Sequence, residues 1–514
     1  METLPKRHLR VNGAYFNECK ENIDMWIGKN PFNKYYKNSK QEFWFYACHT
    51  PIPGQVHQDE NVYFLEDFRT PERFKEYLDC GLNVLYLQPN NTYSGEDFET
   101  SDLKMILDNA KKGGIDKVIV CDSRIHALSG MTEPIVGKGR SFETYEELVE
   151  YVKECIKPYK DYGDGMVKGV MLVDEPVNSK LPQASLMFKA VTDAWEGVYV
   201  DQCLLPLDPM FLNMDGGSGE FSADEKKAYE LAYEQHVENF LTWSNAKYFM
   251  MDSYPLKGNK TKNGDFLEYI CPTHFKSLQL LNRICKKHGA EFYGVSNTCE
   301  LSSKIENDEP SLKWPTEDEM YWQNNAYMMF GVKMFQYYTY WSKTFNNKGG
   351  YHIDGKAFIT LDGQKTEMYY FMQRMHKEMQ KFAKVIKNFN YQKVDYSIKE
   401  RVHFSTNYLD FDETAEDFGN FKALKIANQH HSSVALMTEL YDEKNDQLMY
   451  CLMNPQHPSL SRFLDNSLEI TLEFDSKYRA VELWYNGEMI TMGLNKNKIK
   501  FNLDAGHAVY ILPY

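Results

Sequence analysis

Eight short apolar runs, each followed by polar loop residues and then a stretch with helical spacing, constrain this chain more than any other feature. They are Phe43–Ala47, Val84–Leu87, Val118–Cys121, Val170–Val173, Val198–Leu205, Tyr248–Met251, Glu291–Val295 and Met334–Tyr340. Runs of this length without polar alternation suit strands covered on both faces, as in a parallel sheet wrapped by helices. The stretches between them carry helix-end signals. Thr70-Pro71 supplies an N-cap and a first-turn proline, Phe74, Tyr77 and Leu78 share a face, and Gly81 follows the end. Tyr145, Leu148, Val149, Val152, Cys155 and Ile156 form a stripe of period 3.6. Ser222-Ala-Asp-Glu225 and Thr316-Glu-Asp-Glu319 match the capping box. Further helices are expected from Thr273 to His288, stopping at Gly289, and from Glu367 to Ile386.

Eight strand-then-helix units over about 300 residues have the rhythm of a (β/α)8 barrel. A doubly wound open sheet would place a Gly-rich phosphate turn after its first strand. That position reads His49-Thr-Pro-Ile-Pro-Gly54 instead. Beyond residue 388 the pattern changes to short strands separated by turn residues: Val434–Leu440, Leu448–Met453, Leu468–Phe474, Ala480–Tyr485, Ile499–Leu503 and Ala508–Leu512, with Asn486-Gly487 as a two-residue hairpin signal. The expectation is an α/β chain in three parts: a lead-in segment over 1–40, a (β/α)8 TIM barrel over 41–388, and a C-terminal antiparallel β-sandwich over 389–514.

Composition excludes several classes of partner. The formal charge of −15 comes without a basic block, which argues against nucleic acid and anionic membranes. No apolar run approaches the roughly 18 residues of a membrane span. The ten cysteines (19, 48, 80, 121, 155, 203, 271, 285, 299 and 451) stand singly, without a Cys-x-x-Cys, and read as reduced, buried small hydrophobes. The start, Met1-Glu-Thr-Leu-Pro-Lys-Arg7, has no apolar signal region. It points to a cytoplasmic enzyme, or to a secreted one whose leader has been removed. Homo-oligomer formation stays open.

In a barrel the working groups come from the C-terminal ends of the strands. Those ends collect His49, Gln88, Asn90, Asp122, Arg124, His126, Asp174, Glu175, Asp201, Gln202, Asp252, Tyr254, Ser296, Asn297, Glu300, Tyr338, Tyr340 and Trp341. Acids, amides and aromatics of this kind suit a polyhydroxylated substrate. The Val170-Met-Leu-Val-Asp-Glu-Pro176 stretch runs a buried strand directly into an acid pair. A carboxyl group there costs several kcal/mol unless it is paired or used, roughly as for any buried charge. Glycoside hydrolysis needs two carboxyl groups across the scissile bond. Glu175, with burial and Asp174 to raise its pKa, is the natural acid. Asp252 or Glu300 is the partner.

The combination resembles the clan A (β/α)8 glycoside hydrolases, in particular β-galactosidase-like and poorly characterised bacterial members. In that clan the acid/base glutamate ends strand four, usually after Asn, and the nucleophile ends strand seven. Asp174-Glu175-Pro176 is similar, with Asp in place of Asn. The resemblance implies that Tyr254 hydrogen-bonds the nucleophile and that Trp341 floors the sugar site. It covers residues 41 to 386. The seventh strand departs from the pattern, because Glu300 follows its end by several residues. An Asp-Glu pair on strand four is also similar to substrate-assisted N-acetylhexosaminidases, in which the Asp orients an acetamido group. A non-catalytic carbohydrate-binding barrel is the competing class.

His49, Asn90, His126, Asn297 and Tyr338 are candidate contacts to a carbohydrate, while His49 and His126 serve equally well as satisfied structural histidines. No His-x-His or similar ligand spacing occurs, so neither metal nor cofactor is expected. Gly217-Ser-Gly219 does not form a nucleophile elbow. Its loop, Asn213–Gly219, is either a lid or a surface connection, and Gln429-His-His431 reads as a loop.

Overall fold

In the computed structural model the described residues are 35, 41–53, 55–58, 61–64, 66–88, 91–207, 223–260, 266–271, 273–300, 302–303, 311–312, 314–342, 351–352, 356–397, 421–427, 435–458 and 467–514. Asn90, Ser222, Asn213–Gly219 and Gln429–His431 lie outside them. The chain divides into two compact units. One comprises Trp44–Pro315 and Met334–His376; the other holds Thr316–Lys333 and Lys377–Tyr514 with the described residues before Trp44.

The first unit contains all eight anticipated strands: β1 (Trp44–Ala47), β2 (Leu85–Tyr86), β3 (Val118–Val120), β4 (Val167–Met171), β5 (Tyr199–Asp201, continued as Cys203–Leu204), β6 (Tyr248–Asp252), β7 (Glu291–Asn297) and β8 (Met334–Tyr338). Every pairing among them is parallel. One sheet has the order β2-β3-β4-β5; the other runs β1-β8-β7-β6 and ends on Cys203–Leu204. Residues from both sheets, including Tyr46, Tyr86, Met171, Tyr199, Cys203, Met250 and Val295, meet in a single buried cluster. Gly169 is required for the β4–β5 approach, since a Cβ there would lie 2.3 Å from the Tyr199 carbonyl oxygen.

The helices follow their end signals. α1 (Pro71–Asp79) starts on Thr70, whose hydroxyl accepts from the Arg73 N–H. α2 spans Asp102–Lys112, and α3 (Ser123–Ser129) is capped by Asp122. α4 (Tyr145–Ile156) buries Leu148, Val152, Cys155 and Ile156, the stripe read from the sequence. α5 (Leu181–Ala194), α6 (Ala223–Ser244) and α7 (His274–His288) follow, the last ended by left-handed Gly289. The fold is therefore α/β, with parallel strands covered by helices.

In the second unit, α8 (Glu317–Met329) carries the expected capping box between Thr316 and Glu319. The Trp322 indole N–H donates to the Pro455 carbonyl at 3.0 Å. Helix α9 covers Glu367–Ile386 as anticipated; the division between the units falls after its His376, and in its second half Phe382 stacks on Trp484 at 4.8 Å. The strands are β9 (Asn390–Ser397), β10 (Phe421–Ala427), β11 (Ala435–Asp442), β12 (Gln447–Met453), β13 (Leu468–Phe474), β14 (Ala480–Tyr485), β15 (Glu488–Gly493), β16 (Lys498–Leu503) and β17 (Ala508–Pro513). They form antiparallel sheets of order β9-β11-β12-β17-β14-β15 and β10-β13-β16, which share one apolar core. That is the arrangement of a β-sandwich. Asn486 and Gly487 both have positive φ, 44° and 76°, at the β14–β15 turn. β9 and β10 were not read from the sequence, because Lys, Gln or Asp interrupts their apolar residues, and β15, which the Asn486-Gly487 turn signal precedes, was not read as a run of its own.

Candidate active site

The site is built where β4, β5 and β6 end. After Met171 the chain stays extended and is clamped on three sides. Leu172 N–H donates to the Asp201 carbonyl at 2.9 Å. Val173 N–H reaches Ser129 Oγ at 2.8 Å, and its carbonyl accepts from Gln202 Nε2 at 2.8 Å. The chain then turns at Glu175 with φ 44°, a left-handed conformation rare for a residue with a side chain. Beyond Pro176, Asn178 Oδ1 lies 2.7 Å from Nδ1 of buried His236. Burial holds that imidazole neutral, its pKa down to about 4.

This turn places Glu175 beside Asp252, the last residue of β6, close enough for each carboxyl group to act on the other. Tyr254 donates its phenol O–H to Asp252 Oδ2 at 3.1 Å. Asp174 stands beside them, with a carboxyl oxygen within 4.8 Å of one on Asp252 and of Cys203 Sγ. Burial first, then the Asp252 and Asp174 charges, then the hydrogen bond to Asp252, push the Glu175 carboxyl far above the ordinary carboxylate range. Asp174 is raised by its surroundings and by the charges of Asp252 and Asp201, against the Glu175 backbone N–H, which favours its ionised form. Its side chain still reaches solvent, which screens part of this repulsion. Three carboxyl groups so close cannot all ionise, so the group retains a proton near neutrality.

Beneath them lies Asp201, 2% exposed, which accepts from the phenols of Tyr86 at 2.6 Å, Tyr46 at 2.9 Å and Tyr199 at 3.2 Å. Alternation along Val198–Leu205 puts Tyr199, Asp201 and Cys203 on one face. That signal could have separated this acid from Gln202, but Tyr46 and Tyr86 are distant in sequence. Cys48 and Cys203 are buried, and burial followed by nearby carboxylates raises both thiols.

Aromatic rings border the acids. The Tyr338 ring centroid is 5.8 Å from that of Tyr254 and 5.5 Å from that of His49, and all three side chains are partly exposed. His49, like Glu175, turns the chain at positive φ, 53°, and its N–H donates to Gln88 Oε1 at 3.0 Å. Other sequence candidates are placed elsewhere. Trp341 is 1% exposed, with its indole N–H toward the Leu361 carbonyl at 3.3 Å and its ring 4.6 Å from Phe68. Asn297 is fully buried and accepts from Cys299 N–H at 3.3 Å. Glu300 donates its backbone N–H to the Lys356 carbonyl at 3.3 Å, and among the described contacts it does not join the acid group. His126 lies within α3, its pKa lowered by burial and then by Lys180. Asp122 and Arg124, also at a strand end, pair with each other at 2.7 Å, and Tyr159 completes the Asp122 shell.

No family model matches the chain, and no curated protein matches it. Similar solved structures include a glycoside hydrolase family 5 protein from Bacteroides vulgatus, 9% identical, covering 92% of this chain and 88% of that one, with a TM-score of 0.46. An endo-β-1,4-mannanase from Thermotoga petrophila is 12% identical over 91% of this chain and 99% of its own, at 0.38. A family 27 β-L-arabinopyranosidase from Geobacillus stearothermophilus is 10% identical over 93% and 98%, at 0.42.

Proposed function

We propose that the two parallel sheets close into a (β/α)8 barrel and that the protein is a glycoside hydrolase, with Glu175 and Asp252 as its reacting carboxyl groups. Closure is supported at both seams. Asn83 and Val84 N–H groups donate to the Phe45 carbonyl at 2.9 and 3.2 Å, and Met250 N–H donates to the Gln202 carbonyl at 2.8 Å. The observation that carries the function is the gathering of Asp174, Glu175 and Asp252 beyond β4 and β6, with Asp174 and Asp252 oxygens within 4.8 Å of each other and Tyr254 bonding Asp252.

In this reading Glu175 is the protonated member and gives its proton to the departing glycosidic oxygen. Asp252, held by Tyr254, attacks the anomeric carbon; water then releases the glycosyl ester, with Glu175 acting as base. Retaining enzymes hold their two carboxyl groups roughly 5 to 5.5 Å apart and inverting ones roughly 6.5 to 9.5 Å, and acids gathered as closely as these stand nearer the first. Substrate entering between the two groups opens the first spacing with the smaller movement. Tyr254, Tyr338 and His49 provide the platform for the sugar ring, and Asp174 faces a ring hydroxyl. The substrate-assisted alternative is favoured by the one fact that Asp174 reaches solvent beside Glu175, where it can meet an acetamido N–H.

Glu175→Gln is expected to lower the hydrolysis of aryl glycosides by about a thousandfold or more, the scale of general acid catalysis, with unfolding temperature unchanged. A fully active variant would overturn the assignment. Azide should restore turnover to Asp252→Ala, yielding a glycosyl azide, and should not restore Glu300→Ala. Cleavage confined to N-acetyl sugars, with no azide rescue, would transfer the case to substrate assistance.

A further inference from the structure

The acid group lies beside a thiol, Cys203, that the hydrolytic reading leaves unused. Asp174, Cys203 and Asp252 each offer one ligand atom, and the three atoms lie within 4.8 Å of one another. They come from three adjacent strands: Asp174 follows β4, Cys203 continues β5 and is in register with Met250 of β6, and Asp252 ends β6. Tetrahedral zinc, with Zn–S of about 2.3 Å and Zn–O of about 2.0 to 2.2 Å, holds its donors roughly 3.3 to 3.7 Å apart. Small rotamer changes therefore suffice to close the set. Asp174 reaches solvent, so a fourth position is open to water.

A separate observation points to a ligand in the same space. Gln336 is 3% exposed and in register with Val295, which is in turn in register with Asp252. Its Nε2 lies 3.2 Å from Cys48 Sγ, and that thiol is close enough to Asp174 and Asp252 for both carboxylates to act on it. The Gln336 Oε1 atom has no hydrogen-bond partner among the described residues. A buried amide oxygen left this way is unfavourable, and a bound water would satisfy it.

We propose that Asp174, Cys203 and Asp252 form a binding site for a divalent cation of the zinc class, with water in the remaining position. A thiolate beside two carboxylates selects such a cation over magnesium or calcium, which prefer all-oxygen sites. On binding, the Cys203 S–H proton passes to solvent as the S–metal bond forms, Asp174 and Asp252 each give a carboxylate oxygen, and Glu175 keeps its proton. The metal then occupies Asp252 and excludes the sugar. That last consequence rests on the hydrolytic reading; binding itself does not.

The test uses the full chain freed of metal with a chelator and titrated with Cd²⁺, whose bond to thiolate absorbs in the ultraviolet. One equivalent is expected to bind with this absorption, and Zn²⁺ should displace it. Cys203→Ala should lose the absorption and bind at least tenfold more weakly, whereas Cys48→Ala should keep both. Thermal unfolding of each metal-free variant checks that it is folded. No thiolate absorption, or absorption that survives Cys203→Ala or vanishes in Cys48→Ala, would overturn the site. Inhibition of hydrolysis by Zn²⁺ is a separate measurement, so an inactive protein that still binds Cd²⁺ through Cys203 would refute the hydrolase and leave the metal site standing.

Discussion

One enclosed acid and a group of partly exposed acids lie close together in this protein and are treated in opposite ways. Asp201 is enclosed and receives three phenolic hydrogen bonds, a shell that offsets much of the cost of burying its charge. Glu175, Asp252 and Asp174 face one another, and the phenol of Tyr254 bonds Asp252. The difference separates a carboxylate that holds strands together from carboxyl groups whose instability is available for chemistry. Strand-end position is common to both. The partners decide.

Several substitutions can break or sharpen this contrast, and the largest effect is expected at Asp201. Asp201→Ala removes the acceptor of three buried hydroxyls, of which only those of Tyr46 and Tyr199, 3.1 Å apart, can bond each other, and should cost about 3 to 5 kcal/mol in denaturant unfolding. A nearly neutral result would mean that the phenols do not brace the strands. A second test concerns burial without charge. His376 is fully buried, its Nδ1 lies 2.8 Å from the Cys80 carbonyl, and burial lowers its pKa from 6.5 to about 4. The unfolded chain binds this proton at higher pH than the folded one, so stability is present above pH 6.5 and is lost as pH falls toward 4. The loss amounts to roughly 3 kcal/mol. His376→Gln should flatten that acid limb, and an unchanged limb would refute the assignment.

Gly169→Ala tests the backbone beneath the acids. With only 2.3 Å to the Tyr199 carbonyl, the methyl group must part β4 from β5, at about 1 to 3 kcal/mol, the usual cost of overpacking. If the acids depend on that pairing, activity should fall further than stability, measured by turnover at a temperature well below unfolding. The smallest effect is the most discriminating. Asp252→Asn removes a like charge yet keeps a hydrogen-bonding side chain, so it should raise stability by about 1 kcal/mol while abolishing activity. A loss of stability comparable to that of Asp201→Ala would make the whole acid group structural and end the contrast.

Much of the architecture was legible in the linear pattern. The eight parallel strands appear at the predominantly apolar runs, as suits strands covered on both faces, with single polar residues such as Lys168 and Gln336 admitted. α4 and α9 follow their stripes, and the Thr316 capping box starts α8 as local hydrogen bonding demands. β9 and β10 were not legible, because polar residues interrupt their runs and only pairing in a sheet identifies them.

The site divides along the same line. Sequence alone determined that Glu175 ends a buried strand and that Asp252 and Tyr254 end another, since both follow from apolar runs stopping at acids. Only the tertiary structure decided that Asp252 rather than Glu300 meets Glu175, that Trp341 is packed away while Tyr254 and Tyr338 border the acids, and that Cys203 stands beside two carboxylates. These are relations between strand ends of different strands. They depend on register and on turn conformations such as the positive φ of Glu175 and His49, which no spacing along the chain encodes.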